Sequence, residues 1–94
     1  MRKRYVFRGT VQHVGFRYRA VSAARRLGLT GFVMNMPDGT VRMEAQGEEA
    51  ALDAAKAELE RSRYGSVQCC VTVIPEIADE ASFEVRFVCP EIQG

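Results

Sequence analysis

A glycine-containing run ending in an arginine, Gln12-His13-Val14-Gly15-Phe16-Arg17, has residue types and spacing that suit the holding of a phosphoryl group, and an asparagine, Asn35, lies 18 positions on. Backbone N–H groups in a loop that opens a helix point at one spot, and the helix dipole adds partial positive charge there. Gly15 allows the chain unusual angles and close approach to an anion. Arg17, at the start of the helix, offers a planar fork that matches two phosphate oxygens at once. Asn35 carries an amide that can accept and donate a hydrogen bond but cannot act as a base. Taken singly, neither residue is distinctive. An arginine early in a helix is commonly a solvated charge, and an asparagine near a turn commonly serves the turn.

The elements that must position these residues follow from periodicity. Arg4 to Val11 alternates, with Tyr5, Phe7 and Val11 on one side, and reads as a strand. A helix follows, with Phe16, Ala20, Ala23 and Leu27 on one stripe and Gly28 as its stop. Thr30 to Met36 reads as a second strand, Met36-Pro37-Asp38-Gly39 as a turn, and Thr40 to Gln46 as a third strand. A second helix runs from Gly47 to about Arg63, with Ala51, Leu52, Ala55 and Leu59 as its apolar stripe. Val67 to Ile74 and Phe83 to Val88 read as the last two strands, the latter with Phe83, Val85 and Phe87 on one face. The order β-α-β-β-α-β plus a last β is an α+β, ferredoxin-like split βαβ arrangement: an antiparallel sheet with two helices on one face. Its first two strands run parallel through a right-handed crossover. Residues 12–16 and Asn35 are therefore expected side by side at one edge of the sheet.

At this point the residues carry a resemblance. Gly9-Thr10-Val11-Gln12-His13-Val14-Gly15-Phe16-Arg17 resembles the first signature of the acylphosphatase family, a Gly-x-Val-Gln-Gly-Val-x-Phe-Arg run. Gly31-Phe32-Val33-Met34-Asn35, followed by Gly39, Val41 and Gly47, resembles the second, Gly-aromatic-small-x-Asn with Gly, Val and Gly beyond it. The likeness extends over nearly the whole chain, including Phe-x-Val-Arg-Phe at Phe83 to Phe87. The chain departs at His13, where most members have glycine, and at Phe7, where an aliphatic residue is commoner. The resemblance implies hydrolysis of the carboxyl–phosphate bond of acyl phosphates. Arg17 would bind the phosphoryl group, Asn35 would position the attacking water, and the backbone of Gln12, His13, Val14, Gly15, Phe16 and Arg17 would form the phosphate-binding loop. His13 is expected to be an outward-pointing substitute for the loop glycine rather than a catalytic base.

Composition agrees with such an enzyme and excludes other classes. Ninety-four residues make one domain, expected over 1–94, and 47% hydrophobic with 27% charged residues are those of a soluble globule. No apolar run is long enough to span a bilayer, and the basic N-terminus is not followed by an apolar core, so neither a membrane segment nor a signal peptide is expected. Three cysteines, two of them adjacent at Cys69 and Cys70, suggest reduced thiols in a cytoplasmic protein rather than a disulfide framework. No cluster of carboxylates, histidine and cysteines has metal-ligand spacing, so no metal and no cofactor are expected. Every acidic residue lies after position 37, while the first 26 residues carry eight Arg and Lys, read as an anion-attracting field whose members are mostly solvated.

The expected partners are a small acyl phosphate and its product, inorganic phosphate, acting as inhibitor; no nucleic acid or membrane is expected, and the protein is expected to be a monomer. The acyl group stays open among acetyl, carbamoyl and glyceroyl phosphates. Two other readings stand beside the hydrolase. One is a weakly active relative that only binds phosphate or carbamoyl phosphate, as the first section of the hydrogenase-maturation carbamoyltransferases resembles. The other is an RNA-binding module on the same frame, which requires exposed aromatics on the sheet.

Overall fold

The computed structural model describes residues 1–12, 15–61 and 65–87. Seven elements follow one another: β1 (Arg2–Gly9), α1 (Phe16–Arg26), β2 (Thr30–Asn35), β3 (Val41–Gln46), α2 (Glu49–Glu60), β4 (Val67–Ile74) and β5 (Phe83–Val85). The order is the one expected; the ends differ. β1 begins at Arg2, where the chain already pairs with Gln46 on one side and Ile74 on the other, and it stops at Gly9 instead of Val11. α2 ends at Glu60, short of Arg63, which lies outside the described residues. β5 closes at Val85, though Arg86 N still donates to Val33 O at 2.9 Å; Val88 lies outside the described residues.

The strands lie in the order β4-β1-β3-β2-β5. β3 pairs antiparallel with β1 and with β2, which makes those two strands parallel to each other. β4 pairs antiparallel with β1, whereas β5 joins β2 in parallel, so the five-stranded sheet is mixed. β1, β2 and β5 therefore all end at one edge of the sheet, and the candidate residues sit at that edge.

Alternation sends Tyr5 and Phe7, Val33, and Val41, Met43 and Ala45 to the helix side, where they meet Phe16, Ala20 and Ala24 of α1 and Leu52, Ala55 and Leu59 of α2. Fully burying a leucine such as Leu59 is worth about 1.5–3 kcal/mol. The two helices are tied by Arg19, whose Nη2 donates to the backbone oxygens of Glu58 (2.9 Å) and Arg61 (2.7 Å). That places a cation at the negative end of the α2 dipole. Gly31 is needed for strand contact: a Cβ there would stand 1.9 Å from Glu44 O, so any side chain would push β2 off β3 and carry Asn35 with it.

On the other face of the sheet one residue departs from the expectation of a mostly solvated basic surface. Arg2 is 1% exposed. Its Nη1 donates to Glu80 Oε1 at 2.7 Å and its Nη2 to Glu44 Oε1 at 3.2 Å, while Arg4 Nε donates to Glu44 Oε2 at 3.1 Å. On the helix side, Arg25 pairs with Glu84 and Arg26 with Glu58, and both arginines stay exposed. Residues 75–82 lie against the face that carries Arg2, held by Ile77 N donating to Gln46 Oε1 (2.8 Å) and Gln46 Nε2 donating to Ile77 O (3.0 Å). Phe32 also points to this side, but its ring is covered by the Arg86 guanidinium at 4.1 Å and is not offered for base stacking.

Cys69 and Cys70 are free thiols on opposite faces of β4. Cys69 is packed against the core, and burial pushes its thiol up to about 11, while Cys70 is exposed. Cys89 lies outside the described residues.

Candidate active site

After β1 the chain turns across the sheet edge and enters α1 through Gly15, which is the helix N-cap at φ 76, ψ 17. This is the left-handed region, where a Cβ is penalised by the backbone itself, so glycine is required by angle and not by lack of space. Among the described residues no side chain caps the helix, and its first turn carries no acid. The first intrahelical bond runs from Arg19 N to Gly15 O at 3.1 Å, which leaves the preceding amides of the turn without an intrahelical acceptor. Amides in this state, at the positive end of a helix dipole, favour an anion. His13 and Val14 lie outside the described residues.

Phe16 fixes the junction from below. It is buried, and its ring lies 4.9 Å from that of Phe7 at a tilt of 60°, while Phe7 stacks on Tyr5 at 6.0 Å. The aromatic ring at position 7 thus packs under the start of α1.

Gln12 fixes the junction from the side. Its Nε2 donates to Met36 O and to Thr40 O, both at 2.9 Å. The loop is bolted in this way to the turn that follows Asn35. That turn is itself tight: Met36 N donates to Thr40 O at 2.8 Å, and Asp38 Oδ1 accepts from Thr40 N (3.0 Å) and Thr40 Oγ1 (2.6 Å). The Thr40 bonds hold the Asp38 carboxyl below its ordinary value. The side chain of Gln12 is therefore occupied in holding the loop to the turn.

Between these parts lies an open cleft of about 270 Å³. Its polar side is formed by Gly15, Arg17 and Asn35, its floor by Val11 and Phe16, and its rim by Tyr18, Val85 and Phe87. Arg17 is half-buried, with its guanidinium carbon 5.4 Å from the centroid of the Phe87 ring. Among the described residues no carboxylate pairs with it, in contrast to Arg2, Arg4, Arg25 and Arg26. Asn35 ends β2 opposite Val41, and its Oδ1 is buried with no hydrogen-bond partner among the described residues. A buried acceptor left unmade costs about 1–3 kcal/mol, so this oxygen favours a donor such as water. Among the described residues no group of three or more His, Cys, Asp or Glu is arranged to hold a metal ion.

Of the residues singled out in the sequence, Gly15, Phe16, Arg17 and Asn35 line this one cleft, and Gln12 braces it. The rim was not foreseen. Tyr18 reads in sequence as a surface or core-edge residue and Phe87 as one more position on a strand face. The available signal was an exposed aromatic next to Arg17 and a last strand whose apolar alternation runs on to Phe87.

Comparisons with known proteins agree with this geometry. The sequence model of the acylphosphatase family matches residues 3–87. An acylphosphatase from Clostridium acetobutylicum is 44% identical over 91 residues, covering 93% of this chain and all of that protein. One from Anaeromyxobacter dehalogenans is 40% identical over 91 residues, covering 93% of this chain and 96% of that protein. The crystal structure of acylphosphatase from Bacillus subtilis superposes with a TM-score of 0.84 at 31% identity, over 90% of this chain and 97% of that one. With two sequence signatures, a mixed sheet that brings them to one edge, and relatives matched nearly end to end, the chain belongs to the acylphosphatase family, enzymes that hydrolyse the carboxyl–phosphate bond of acyl phosphates.

Proposed function

We propose that Arg17 and the backbone amides of residues 12–17 bind the phosphoryl group, and that Asn35 orients the water that attacks it. The observation that carries this reading is the convergence of Arg17, the uncapped start of α1 and the unpartnered Asn35 Oδ1 on one cleft. Water bonded to Asn35 attacks phosphorus as the bond from phosphorus to the acyl oxygen breaks. The carboxylate departs with the bonding electron pair and needs no proton, so no general acid is required. A phosphoryl oxygen of the substrate takes the proton released by the water. The transition state is loose, and what it asks of the protein is position and charge stabilisation. Arg17 and the amides supply the charge, and Asn35 supplies the position. Oriented reactants of this kind can reach effective molarities of about 10⁵ M or more.

The same reading makes inorganic phosphate a competitive inhibitor, since the product fits the cradle that binds the substrate. It also takes the protein to act as a single-domain monomer in the cytoplasm, without a metal. No helix among the described residues is long and apolar enough to cross a membrane. The deciding assay is hydrolysis of benzoyl phosphate by the purified protein with Arg17→Ala beside it. Turnover in the wild type that collapses in the variant supports the assignment; equal turnover refutes it.

A further inference from the structure

We infer that the rim formed by Tyr18, Val85 and Phe87 is an acyl-binding wall that selects bulky apolar acyl groups, aromatic ones above all, over acetyl or charged ones; this rests on the phosphoryl placement proposed above. Large hydrophobic side chains exposed to solvent are few among the described residues, and three of them gather at this one cleft: Tyr18 at 85%, Phe87 at 76% and Val85 at 38% exposed. Such gathering marks a binding surface, whereas single exposed apolar residues do not.

The fold places the wall where an acyl group must go. Val33 pairs with Val85 in the parallel β2–β5 ladder, and Arg86 N continues that ladder by donating to Val33 O at 2.9 Å. Two residues beyond that pair on each segment, Asn35 and Phe87 both line the cleft. Arg17 lies over the face of the same ring at 5.4 Å. A guanidinium over a ring keeps its N–H groups in its own plane, so the fork remains available to phosphate oxygens. With the phosphoryl group at Arg17, only the bridging oxygen separates phosphorus from the acyl carbon. The first atoms of the acyl group therefore fall against Phe87 and Val85, with Tyr18 on the helix side. The cleft volume of about 270 Å³ lies just under the ~300–1,000 Å³ of pockets for drug-sized ligands, and suits a phosphoryl group plus one ring. Among the described residues Arg17 is the one charged residue lining the cleft, and the phosphoryl group takes it up, so a carboxylate or ammonium at the far end of the acyl group meets no further charged partner among them and loses water against apolar surface.

The test measures kcat/KM for benzoyl and acetyl phosphate, each divided by its spontaneous hydrolysis rate, together with the inhibition constant for inorganic phosphate. The proteins are the full-length wild type, Phe87→Ala and Tyr18→Ala; Tyr18 is exposed on a helix, so its variant is expected to fold. The wild type is expected to favour benzoyl phosphate by about tenfold or more, the scale on which an apolar pocket discriminates. The benzoyl-to-acetyl ratio is expected to fall in both variants, more in Phe87→Ala. A wild-type ratio near one overturns the inference, as does a ratio that neither substitution changes. An equal loss on both substrates in Phe87→Ala with weakened phosphate inhibition also overturns it, because Phe87 then only positions Arg17. Hydrolysis of neither substrate by the wild type refutes the proposed function itself and the acyl wall with it.

Discussion

The side-chain amide of Gln12 donates a 2.9 Å hydrogen bond to the backbone oxygen of Met36, the residue that follows Asn35. With its second bond to Thr40 O, this amide fixes the distance between the loop that carries Arg17 and the strand end that carries Asn35. Gln12→Ala removes both bonds and leaves two carbonyls to water, a cost of about 1–3 kcal/mol in stability at about 0.5–1.5 kcal/mol each. Its effect on catalysis should appear in kcat more than in KM, since the relative placement of water and phosphoryl group is what loosens. Gln12→Glu should be worse at neutral pH, where a carboxylate would face two carbonyl oxygens, and should recover in part as acid protonates it. A Gln12→Glu enzyme with the wild-type pH profile would show that this bridge does not govern the site.

Much of this arrangement is legible in the sequence. Alternation and helical spacing give β1-α1-β2-β3, and the parallel relation of β1 and β2 follows from the topology; that is enough to bring residues 12–17 and Asn35 to one edge. Other parts are not legible, for identifiable reasons. Arg2 reads as a solvated charge because its partners Glu44 and Glu80 lie 42 and 78 residues away, and no local pattern announces them. Phe87 reads as one of three positions on one face of the last strand. Nothing local says that β5 pairs with β2 in parallel, and it is that pairing which carries Phe87 to Arg17. Gln12 reads as a phosphate-loop residue, while its side chain turns toward backbone carbonyls contributed by a different hairpin.

Arg17 should carry both affinity and rate. Loss of a hydrogen-bonded charge partner costs about 2–5 kcal/mol, equivalent to roughly 30-fold to several thousandfold in kcat/KM. Arg17→Ala should therefore nearly abolish turnover and weaken inhibition by inorganic phosphate. Arg17→Lys should fail as well, since an ammonium offers neither the planar fork nor the same contact with the Phe87 ring. Steady-state kinetics with phosphate as competitive inhibitor reads both effects, and near-normal values in Arg17→Ala would sink the assignment.

Asn35 should separate binding from rate. Its buried Oδ1 is proposed to hold water and not phosphate, so Asn35→Ala should lower kcat by about a hundredfold or more while phosphate inhibition stays close to wild type. The opposite pattern, weak phosphate binding with preserved kcat, would make Asn35 a ligand of the phosphoryl group.

Hydrolysis should not depend on a metal ion. Charge on the phosphoryl group is proposed to be met by Arg17 and the helix amides, and the described residues include no group of three or more His, Cys, Asp or Glu arranged to hold a metal ion. Prolonged treatment with EDTA should leave kcat/KM unchanged. Activity lost to the chelator and restored by magnesium would refute the metal-free mechanism.

The far face of the sheet should set stability in acid. Glu80 is 12% exposed at its side chain and accepts from Arg2 Nη1 at 2.7 Å and Nη2 at 3.3 Å. Burial alone would raise its pKa. The hydrogen bonds from Arg2 and Thr30 and the charge of Arg2 and Arg86 outweigh burial and hold the carboxyl below its ordinary value. A folded-state pKa below the unfolded one, about 4.3 for glutamate, gives stability that is present at neutral pH and is lost as pH falls through the folded value. Thermal unfolding of the wild type should therefore move to lower temperature as pH drops from about 5 toward 2, the range in which carboxylates of this kind protonate. Glu80→Gln should start less stable at pH 7, by about 3 kcal/mol, the low end for breaking a buried ion pair because Glu44 still holds Arg2. It should then lose less on acidification, since one of the groups that takes up a proton is gone. The contrast is between intercept and slope: a merely less tidy surface lowers stability equally at every pH, whereas the Arg2–Glu80 pair predicts that the two curves converge in acid. Parallel curves would show that Glu80 is not the carboxylate that links folding to pH.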